Sequence, residues 1–310
     1  MNSTAELEKV QKANEVVQGP EARRVRLTGL IVTTSIVVGP PIILGLAAIL
    51  GWASLVNASD LIMAAVLYVF TGFGITVGFH RCFTHRGFVP KRALKIVLAI
   101  AGSMALEGGL DCWVAAHRRH HRFSDQAGDP HSPHRYGDGR FNLVRGLLFA
   151  HAGWLFVEDP TSVERYAPDI IRDPDLVAIS RYFPVIAVSS FALPFLLGYA
   201  IGGTLSAAFG AFIWAGIVRV ALLHHVTWSV NSLCHTYGTR PCETKDRSTN
   251  IKLLALISFG DSWHNIHHAY PSWARHGAMK AQLDPSALLI EMFERRGWVD
   301  KVRWPNIALE

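Results

Sequence analysis

The sequence predicts an all-α integral membrane protein, with four transmembrane helices in two hairpins and a cytosolic helical cap that carries clusters of histidine. Two observations predict this fold class. Half of the 310 residues are hydrophobic and only 17% are charged, a composition too apolar for a soluble domain of this length. The apolar residues also fall into charge-free runs of the length that a membrane-crossing helix needs, about 20 residues.

The hairpins follow from stretches that contain no Asp, Glu, Lys or Arg. Residues 27–59 and 61–79 are charge-free and predict spans at about 28–50 and 59–79, joined by a short turn within residues 51–60. Residues 182–218 are too many for one span. The break at Gly202, Gly203 and Thr204 therefore predicts a second pair of spans, at about 182–202 and 205–229.

Two further apolar stretches, at about 94–106 and 142–157, are short for spans. We expect them to form helices that lie in the membrane surface or are partly buried. Arg219 lies inside the last predicted span, where a charge is costly unless it is paired or faces a cavity. A structural pair or a snorkelling side chain is the expectation for this residue.

The distribution of basic residues predicts which segments face the cytosol. Of 30 Lys and Arg residues, none lies between residues 27 and 80, and only Arg219 lies between 182 and 231. The positive-inside rule then places residues 1–26, 80–181 and 230–310 in the cytosol. We therefore expect both termini on the cytosolic side, in the cell membrane of a bacterium.

The predicted membrane domain covers residues 27–275, between a cytosolic N-terminal segment 1–26 and a cytosolic C-terminal segment 276–310. Asp284, Pro285 and Ser286 predict the start of a helix in the last segment. Its apolar stripe, which we expect to pack against the cap, consists of Leu288, Leu289, Met292 and Phe293.

Nine of the fifteen histidines stand in four groups whose spacing suggests a common site. Under the predicted topology all four groups lie on the cytosolic side at similar depth. They are "HRCFTH" with His80 and His85, "HRRHH" with His117, His120 and His121, "NSLCH" with His235, and "HNIHH" with His264, His267 and His268.

The spacing of these histidines predicts metal binding. Residues i, i+3 and i+4 are neighbours on a helix, so each HxxHH triplet offers three imidazoles on one face. His80 and His85 are five apart and converge only if the helix ends or loosens between them. Neutral imidazole is the commonest transition-metal ligand, and nine histidines are too many for one ion, so two metals are expected. No Glu-x-x-His pair accompanies them, which excludes the carboxylate-bridged centre of helix bundles.

Two histidine-bound metals beside a hydrocarbon core suggest an enzyme that uses iron and O2 to modify a lipid chain. These residues alone leave desaturation and hydroxylation open, as well as a non-enzymatic metal-binding or transport protein. A transporter places its ligands near the middle of the membrane, whereas these histidines lie at the cytosolic ends of the spans.

In "GFHRCFTH", "HRRHHRFSD" followed by "DPH", "TWSVNSLCHTYG" and "WHNIHHAYP", the sequence resembles the membrane fatty acyl desaturases of the stearoyl-CoA desaturase type. The likeness runs in order from about residue 60 to about residue 275, and "HAGWLF" at residues 151–156 is similar to a further segment of that family. The resemblance implies an O2-dependent enzyme that inserts a cis double bond, at the Δ9 position, into a saturated acyl chain at a di-iron centre.

The resemblance also implies residue roles. The nine histidines listed above match iron ligands, and Asn265 matches an asparagine that approaches one iron through water. Asp125 and Asp129 match acids that accept the free ring N–H of a ligand and so fix its orientation. The positions that match residues lining or closing the acyl tunnel are Tyr68, Gly72, Trp113, Thr227 and Trp228.

The expected partners are a fatty acyl thioester, foremost acyl-CoA, and membrane lipid, with no nucleic acid. Where the animal enzymes carry an Arg-Asp pair that contacts the CoA head, this sequence has Ala115 and Ala116. Arg118, Arg119 and Arg122 are the alternative head-group candidates. No cytochrome b5-like segment follows the desaturase region, so a separate ferredoxin or cytochrome b5-like protein with a NAD(P)H reductase is expected to supply electrons.

Overall fold

The computed structural model describes residues 20–49, 56–157 and 161–307, which are mostly helical. Most of the predicted N-terminal segment and much of the predicted first turn lie outside the described residues. Within them, four helices are long and apolar enough to cross a membrane, with apolar stretches at Gly29–Leu46, Ala58–Thr84, Phe183–Gly202 and Leu205–His235. The four predicted spans therefore correspond to helices, although their bounds differ.

Helix α1 (Pro20–Ile49) belongs to a compact unit of its own, at residues 1–51. Proline suits the first turn of a helix, because the N–H that it lacks has no partner there. The helix begins inside the segment that we predicted as the N-terminal cytosolic region. Its apolar side chains are largely exposed within the protein, among them Ile31 and Ile42. Such a surface suits a lipid environment.

Helix α2 (Ala58–Phe73) is the first helix of the second unit. It begins before the predicted turn at residues 51–60 was expected to end. Asp60 lies in its first turn rather than in the loop, and its carboxylate accepts a hydrogen bond of 3.2 Å from the backbone N–H of Asn57. The helix then continues without interruption as a π-helix (Gly74–Thr84). The predicted span ended at residue 79, but the wider π-helical turns carry the helix into the first histidine group.

Helices α3 (Arg92–Ser103) and α4 (Leu110–Phe123) pack around the π-helix. The contact is so close that a Cβ added to Gly74 would lie 2.2 Å from the backbone nitrogen of Gly102. The main core, which includes Ile75, Phe79 and Leu110, lies between these elements. The short apolar stretch at 94–106 therefore forms a half-buried helix. This was one of the two alternatives that we expected for it.

The next helices are α5 (Arg140–His151), α6 (Val163–Tyr166) and α7 (Pro174–Arg181). Helix α5 packs against the last candidate span and leaves Phe141, Val144 and Leu148 strongly exposed. An exposed apolar row on a helix beside a membrane span agrees with the surface position expected for residues 142–157.

Helix α8 (Phe183–Gly202) ends at Gly203, whose φ of +67° is a conformation that glycine adopts without strain. Thr204 then caps helix α9 (Leu205–Ala211), its hydroxyl accepting the N–H of Ala207. A second π-helix (Phe212–Val218) leads into α10 (Arg219–Ser232), which ends in a 3₁₀ turn (Leu233–His235). The helical run therefore passes the predicted end at residue 229 and includes His235.

Arg219 is fully buried and bonded entirely to neutral oxygens. Its guanidinium donates to the backbone carbonyls of Met104, Ser190 and Ala215 at 3.0–3.2 Å and to the Ser190 hydroxyl at 2.9 Å. No carboxylate within the described residues pairs with it. The expectation of snorkelling was wrong, because the side chain is buried, whereas the alternative expectation of a structural pair is met by neutral oxygens at the end of α3 and on α8 rather than by a carboxylate.

The C-terminal part carries helices α11 (His264–Ala269) and α12 (Pro285–Arg295). Strand β1 (Val89–Pro90) pairs antiparallel with β2 (Val299–Asp300) and ties the end of the chain to the exit of the π-helix. Asp284 caps α12 as predicted, accepting the N–H of Ala287 at 3.0 Å. The predicted apolar stripe was partly wrong, since Leu288 is half-exposed whereas Ile290 is fully buried.

Candidate metal centre

The π-helix brings together two histidines that an α-helix would separate. His80 and His85 are five residues apart, and the backbone N–H of His85 bonds to the carbonyl of His80 at 3.2 Å. A repeat of about five residues per hydrogen-bonded turn places both rings on one side, with centroids 5.1 Å apart. The convergence that required a loosened helix is thus achieved.

Helix α4 divides its three histidines between two sites. Residues of an α-helix are about 100° apart, so positions i and i+4 differ by about 40° whereas i+3 and i+4 differ by about 100°. His117 and His121 therefore point to one site, with their Nε2 atoms 3.1 Å apart, and His120 points to another. The expectation of a single three-imidazole face was too coarse.

Helix α11 repeats this division in the opposite sense. His264 and His268 approach each other, with Nε2 atoms 3.0 Å apart, and lie with His120. His267 faces the other way and lies 2.9 Å from Nε2 of His121. The 3₁₀ turn at the end of α10 adds His235, whose Nε2 is 3.0 Å from that of His264.

The nine histidines thus form two groups, in each of which the candidate ligand atoms all lie within 4.8 Å of one another. The five-histidine group comprises His80, His85, His117, His121 and His267, and the four-histidine group comprises His120, His235, His264 and His268. The two adjoin, because His120 and His121 are neighbours in the chain.

The ring nitrogens in each group are arranged for a cation. Nδ1 of His80 donates to Asp261 at 2.8 Å, because a carboxylate only accepts, and this leaves a lone pair on Nε2. That Nε2 lies 3.0 Å from Nε2 of His267. Two nitrogens bound at right angles to one ion at about 2.1 Å are about 3.0 Å apart. Nε2 of His85 and of His120 are also buried, and no described residue forms a hydrogen bond with either atom. Each group therefore fits a transition-metal ion.

Carboxylates hold the outer nitrogens of several of these rings. Asp129 accepts from Nδ1 of His120 at 3.0 Å, and Asp125 accepts from Nδ1 of His235 at 2.9 Å. Two more acids play the same part but were missed by the sequence reading. Asp261 binds His80 as described, and Asp246 accepts from Nδ1 of His268 at 2.6 Å. Such bonds fix which nitrogen faces the metal.

The electrostatics keep Asp125 and Asp129 ionised and hold the pKa of six of the nine imidazoles well below the usual value, whereas for His120 the charge of Asp129 outweighs burial and raises the pKa. Burial by itself would raise the pKa of Asp125, but the hydrogen bond and charge of His235 outweigh it and hold this pKa below its usual range. For Asp129, burial is likewise outweighed by His120. Burial, followed by the neighbouring imidazoles, lowers the pKa of His117 and His264 well below the usual value. Neutral imidazoles are the form that binds metal.

Comparison with known proteins identifies this arrangement. Residues 50–289 match the family model for "Fatty acid desaturase". The chain belongs to the fatty acid desaturase family. The chain is therefore an oxidoreductase that acts on acyl chains, in a family that is generally metal-dependent.

The curated desaturases and related enzymes that resemble the chain differ in substrate. It is 38% identical over 238 residues to the hex-5-enoyl-[acyl-carrier protein] acetylenase of Moorena producens, covering 76% of this chain and 74% of the relative. It is 37% identical over 243 residues to the sn-1 stearoyl-lipid 9-desaturase of Synechocystis, covering 77% and 70%. A probable acyl-CoA desaturase of Schizosaccharomyces pombe is 32% identical over 228 residues, covering 73% and 45%.

A cavity of the protein is lined by members of both histidine groups, namely His80, His117 and His264. Two of the predicted tunnel residues, Trp113 and Thr227, also line it. The indole of Trp113 also stacks on the ring of His117, with centroids 5.1 Å apart. The apolar wall consists of Ile75, Leu223, Val226, Val230, Ile257 and Phe259.

The other predicted tunnel residues do not line this cavity directly. Tyr68 and Gly72 both contact Phe259, which does line it. The Tyr68 and Phe259 ring centroids are 5.6 Å apart, and a Cβ on Gly72 would lie 2.2 Å from the Phe259 ring. Trp228 is buried against the rings of His151 and His224. Any effect of these three residues on the cavity therefore passes through a neighbouring residue.

The structure also places the remaining predicted residues. The Asn265 amide bonds at both ends to the backbone of Cys242, at 2.8 and 3.0 Å. The Arg118 guanidinium lies inside the protein and donates to Asp169 and to the carbonyls of Phe83 and Thr84. Arg119 bonds to the Gly128 carbonyl at 2.9 Å, and Arg122 lies over the ring of Phe123.

Glu107 is a further acid beside the cavity that the sequence reading missed. It follows α3, and its carboxylate accepts the indole N–H of Trp113 at 3.1 Å. Burial raises the pKa of this carboxyl to about 7, against the lowering effect of its neighbours Thr227 and Trp113. Only its position six residues before Trp113 hinted at the contact, whereas Asp246 carried no local signal at all.

Proposed function

We propose that this protein is an O2-dependent fatty acyl desaturase that inserts a cis double bond, at the Δ9 position, into a saturated acyl chain at a histidine-ligated di-iron centre. The observation that carries the proposal is a cavity that members of both histidine groups line together with many apolar side chains. Bound iron would supply the activation of O2 that removal of hydrogen from unactivated methylenes requires.

Each predicted residue has a role in this proposal. The two histidine groups hold one iron ion each through neutral imidazole nitrogens. Asp125 and Asp129 orient His235 and His120 through the hydrogen bonds described above. Asn265 approaches one iron through water in this proposal. Its amide would have to release one of its bonds to Cys242 to do so.

The cavity holds the acyl chain so that one C–C bond faces the histidine groups. Trp113 and Thr227 form its wall directly. Tyr68 and Gly72 set the position of Phe259 and thereby the far end, and Trp228 supports the helix that carries Thr227. A narrow apolar channel excludes water from the reacting methylenes and favours one register of the chain, which is what fixes the position of the double bond.

The acyl carrier is proposed to be a thioester, with acyl-CoA as the first substrate to test. The relatives named above act on acyl-carrier protein, lipid and CoA substrates, and their variety makes a direct comparison of carriers necessary. Arg119 and Arg122 are the head-group candidates on the surface of the cap. Arg118 remains a candidate only if substrate displaces its partner Asp169.

We further propose that the spans form two hairpins with the loops near residues 51–57 and 203 outside the cell. Residues 1–26, 80–181 and 230–310 then lie in the cytosol of a bacterium, and the parts at 80–181 and 230–275 form the cap. The 27–275 region is the membrane domain. A separate ferredoxin or cytochrome b5-like protein, reduced through NAD(P)H, docks on this cytosolic face and delivers the electrons.

The test is expression in a host that lacks its own desaturase for this step, followed by mass spectrometry of derivatised fatty acids. A new monounsaturated acid with its double bond at carbon nine is the expected product. A hydroxy acid or terminal alcohol instead would assign the chain to hydroxylation and overturn the proposal. Purified protein supplied with acyl-CoA, acyl-carrier protein or glycerolipid substrate, each with the same donor pair, then identifies the carrier.

A further inference from the structure

The two histidine groups differ sharply in the charge around them. In the four-histidine group, three of the four rings donate an Nδ1–H to a carboxylate, at 2.6–3.0 Å. The acceptors are Asp129, Asp125 and Asp246. None of the three accepts from a Lys or Arg side chain of the described residues, since their other partners are backbone N–H groups and hydroxyls. Three full negative charges therefore face this group.

Among the described residues, the five-histidine group has a single carboxylate partner, and the charge of that carboxylate is neutralised by an arginine. One oxygen of Asp261 accepts from His80 at 2.8 Å, while the other accepts from Arg81 at 3.2 Å. Arg81 is completely buried and also binds Asp284 at 2.8 Å, beyond the group. Asp261, Arg81 and Asp284 together carry one negative charge, and Asp284 bonds to no ring of the group.

We propose that the ions held by the two groups differ in reduction potential, and that Asp246 with its two fellow carboxylates makes the four-histidine ion the harder one to reduce. The inference rests on the two-iron part of the proposed function. All nine ligands are neutral imidazoles, so the number of ligands adds no charge difference. The surrounding carboxylates do, and anionic surroundings favour the more positive ion, Fe(III), over Fe(II).

Substitutions of Asp246 and Asp284 show which charges cause the difference in reduction potential. Asn at position 246 keeps the size of the side chain and an acceptor oxygen but removes a charge next to His268. Asn at position 284 keeps a helix cap and removes the charge that offsets Arg81. The first change raises the potential of the four-histidine ion and narrows the gap between the two ions. The second raises the potential of the five-histidine ion and widens the gap.

The experiment uses the full chain in detergent, loaded with two ⁵⁷Fe ions and reduced stepwise by dithionite, each ion taking one electron from Fe(III) to Fe(II). Mössbauer spectra at poised potentials follow each half of the iron separately. The wild type is expected to show two midpoints. In Asp246→Asn we expect about a tenfold rise in the Fe(II)/Fe(III) ratio of the lower-potential half, equal to about 59 mV. Asp138→Asn, a control at a strongly exposed acid, shifts neither half.

Several outcomes overturn the inference. They are a single midpoint in the wild type, equal shifts of both halves in Asp246→Asn, and a shift of the higher-potential half alone. If Asp246→Asn retains one iron only, that ion must titrate at the higher wild-type potential, and survival of the lower-potential ion contradicts the proposal. The variant Asp284→Asn, which should widen the gap between the two reduction potentials where Asp246→Asn narrows it, is an independent check.

Failure of the proposed function is recognised separately. A wild type that holds two irons with two midpoints but forms no unsaturated acid contradicts the desaturase reaction and leaves the charge asymmetry standing. A wild type that forms unsaturated acid while both irons share one midpoint contradicts the asymmetry alone. Wild-type protein that cannot be loaded with two irons contradicts both.

Discussion

Single residues decide how the two histidine groups are completed. His120 is the one contribution of α4 to the four-histidine group, and its Nδ1 is already committed to Asp129. Its Nε2 is buried and has no hydrogen-bond partner in the described part of the chain. An imidazole oriented in this way has its lone pair available for an ion, so its removal leaves three rings in that group.

The variant His120→Ala is therefore expected to insert normally, to lose desaturation, and to hold about one iron per chain instead of two. The reason is that losing one of four ligands weakens the site by a large factor while the neighbouring group keeps all five. Iron content by mass spectrometry and product analysis make the test. His225→Ala, which removes an exposed histidine outside both groups, is the matched control. Two irons and full activity in His120→Ala would remove this residue from the ligands.

Gly72 makes a second prediction at the scale of a residue. Because a Cβ there would lie 2.2 Å from Phe259, any side chain must move the ring that lines the cavity. We expect Gly72→Leu to shorten the preferred acyl chain, measured by competition between myristoyl, palmitoyl and stearoyl substrates. Gly45→Leu, at a position with nothing within 4 Å, should leave the preference unchanged. An unchanged profile in Gly72→Leu would mean that Gly72 has no influence on the tunnel.

The element that most shapes the site is the π-helix at Gly74–Thr84. Its wide turns align His80 with His85, and its glycines allow α3 to approach closely. A Cβ on Gly74 would lie 2.2 Å from the nitrogen of Gly102 and 2.3 Å from the carbonyl carbon of Ala101, both backbone atoms. Backbone cannot rotate away as a side chain can, so the two helices would have to separate.

The variant Gly74→Val is accordingly expected to lower the melting temperature in detergent, at a cost of about 1–3 kcal/mol or more. It should also weaken iron binding in the five-histidine group, since the displaced helix carries two of its ligands. Gly29→Val on α1, where nothing lies within 4 Å, serves as the control for an added side chain. A stable Gly74→Val protein with two irons would show that the close contact is dispensable.

At the scale of the whole molecule, the proposed topology makes opposite predictions for two exposed leucines. Leu205 is the first residue of α9, beside the turn that we place outside the cell, and Leu283 lies just before α12, which we place in the cytosol. In a background with Cys112 and Cys242 changed to serine, Leu205→Cys should react with an impermeant maleimide in intact cells. Leu283→Cys should react only after lysis. The reverse pattern would invert the topology.

How much of the protein could be predicted varies with the range of the interactions involved. The charge-free runs predicted the approximate bounds of the spans, but not the ends of the helical runs at Thr84 and His235. Those ends were missed because a change from α- to π- or 3₁₀-helical turns depends on packing. Arg219 was correctly singled out, but its partners could not be named, since the carbonyls of Met104 and Ser190 are far away in the sequence.

By itself the sequence determined the helical membrane class, the four apolar helices and the nine histidines, because membrane thickness, the cost of buried charge and helical periodicity act over one to twenty residues. Only the tertiary structure decided that these histidines divide into groups of five and four. The division depends on how α4 and α11 face each other and on where the π-helix turns. The tertiary structure also brings Asp246 and Asp261 to the imidazole rings, because contacts between distant segments form only when the core packs.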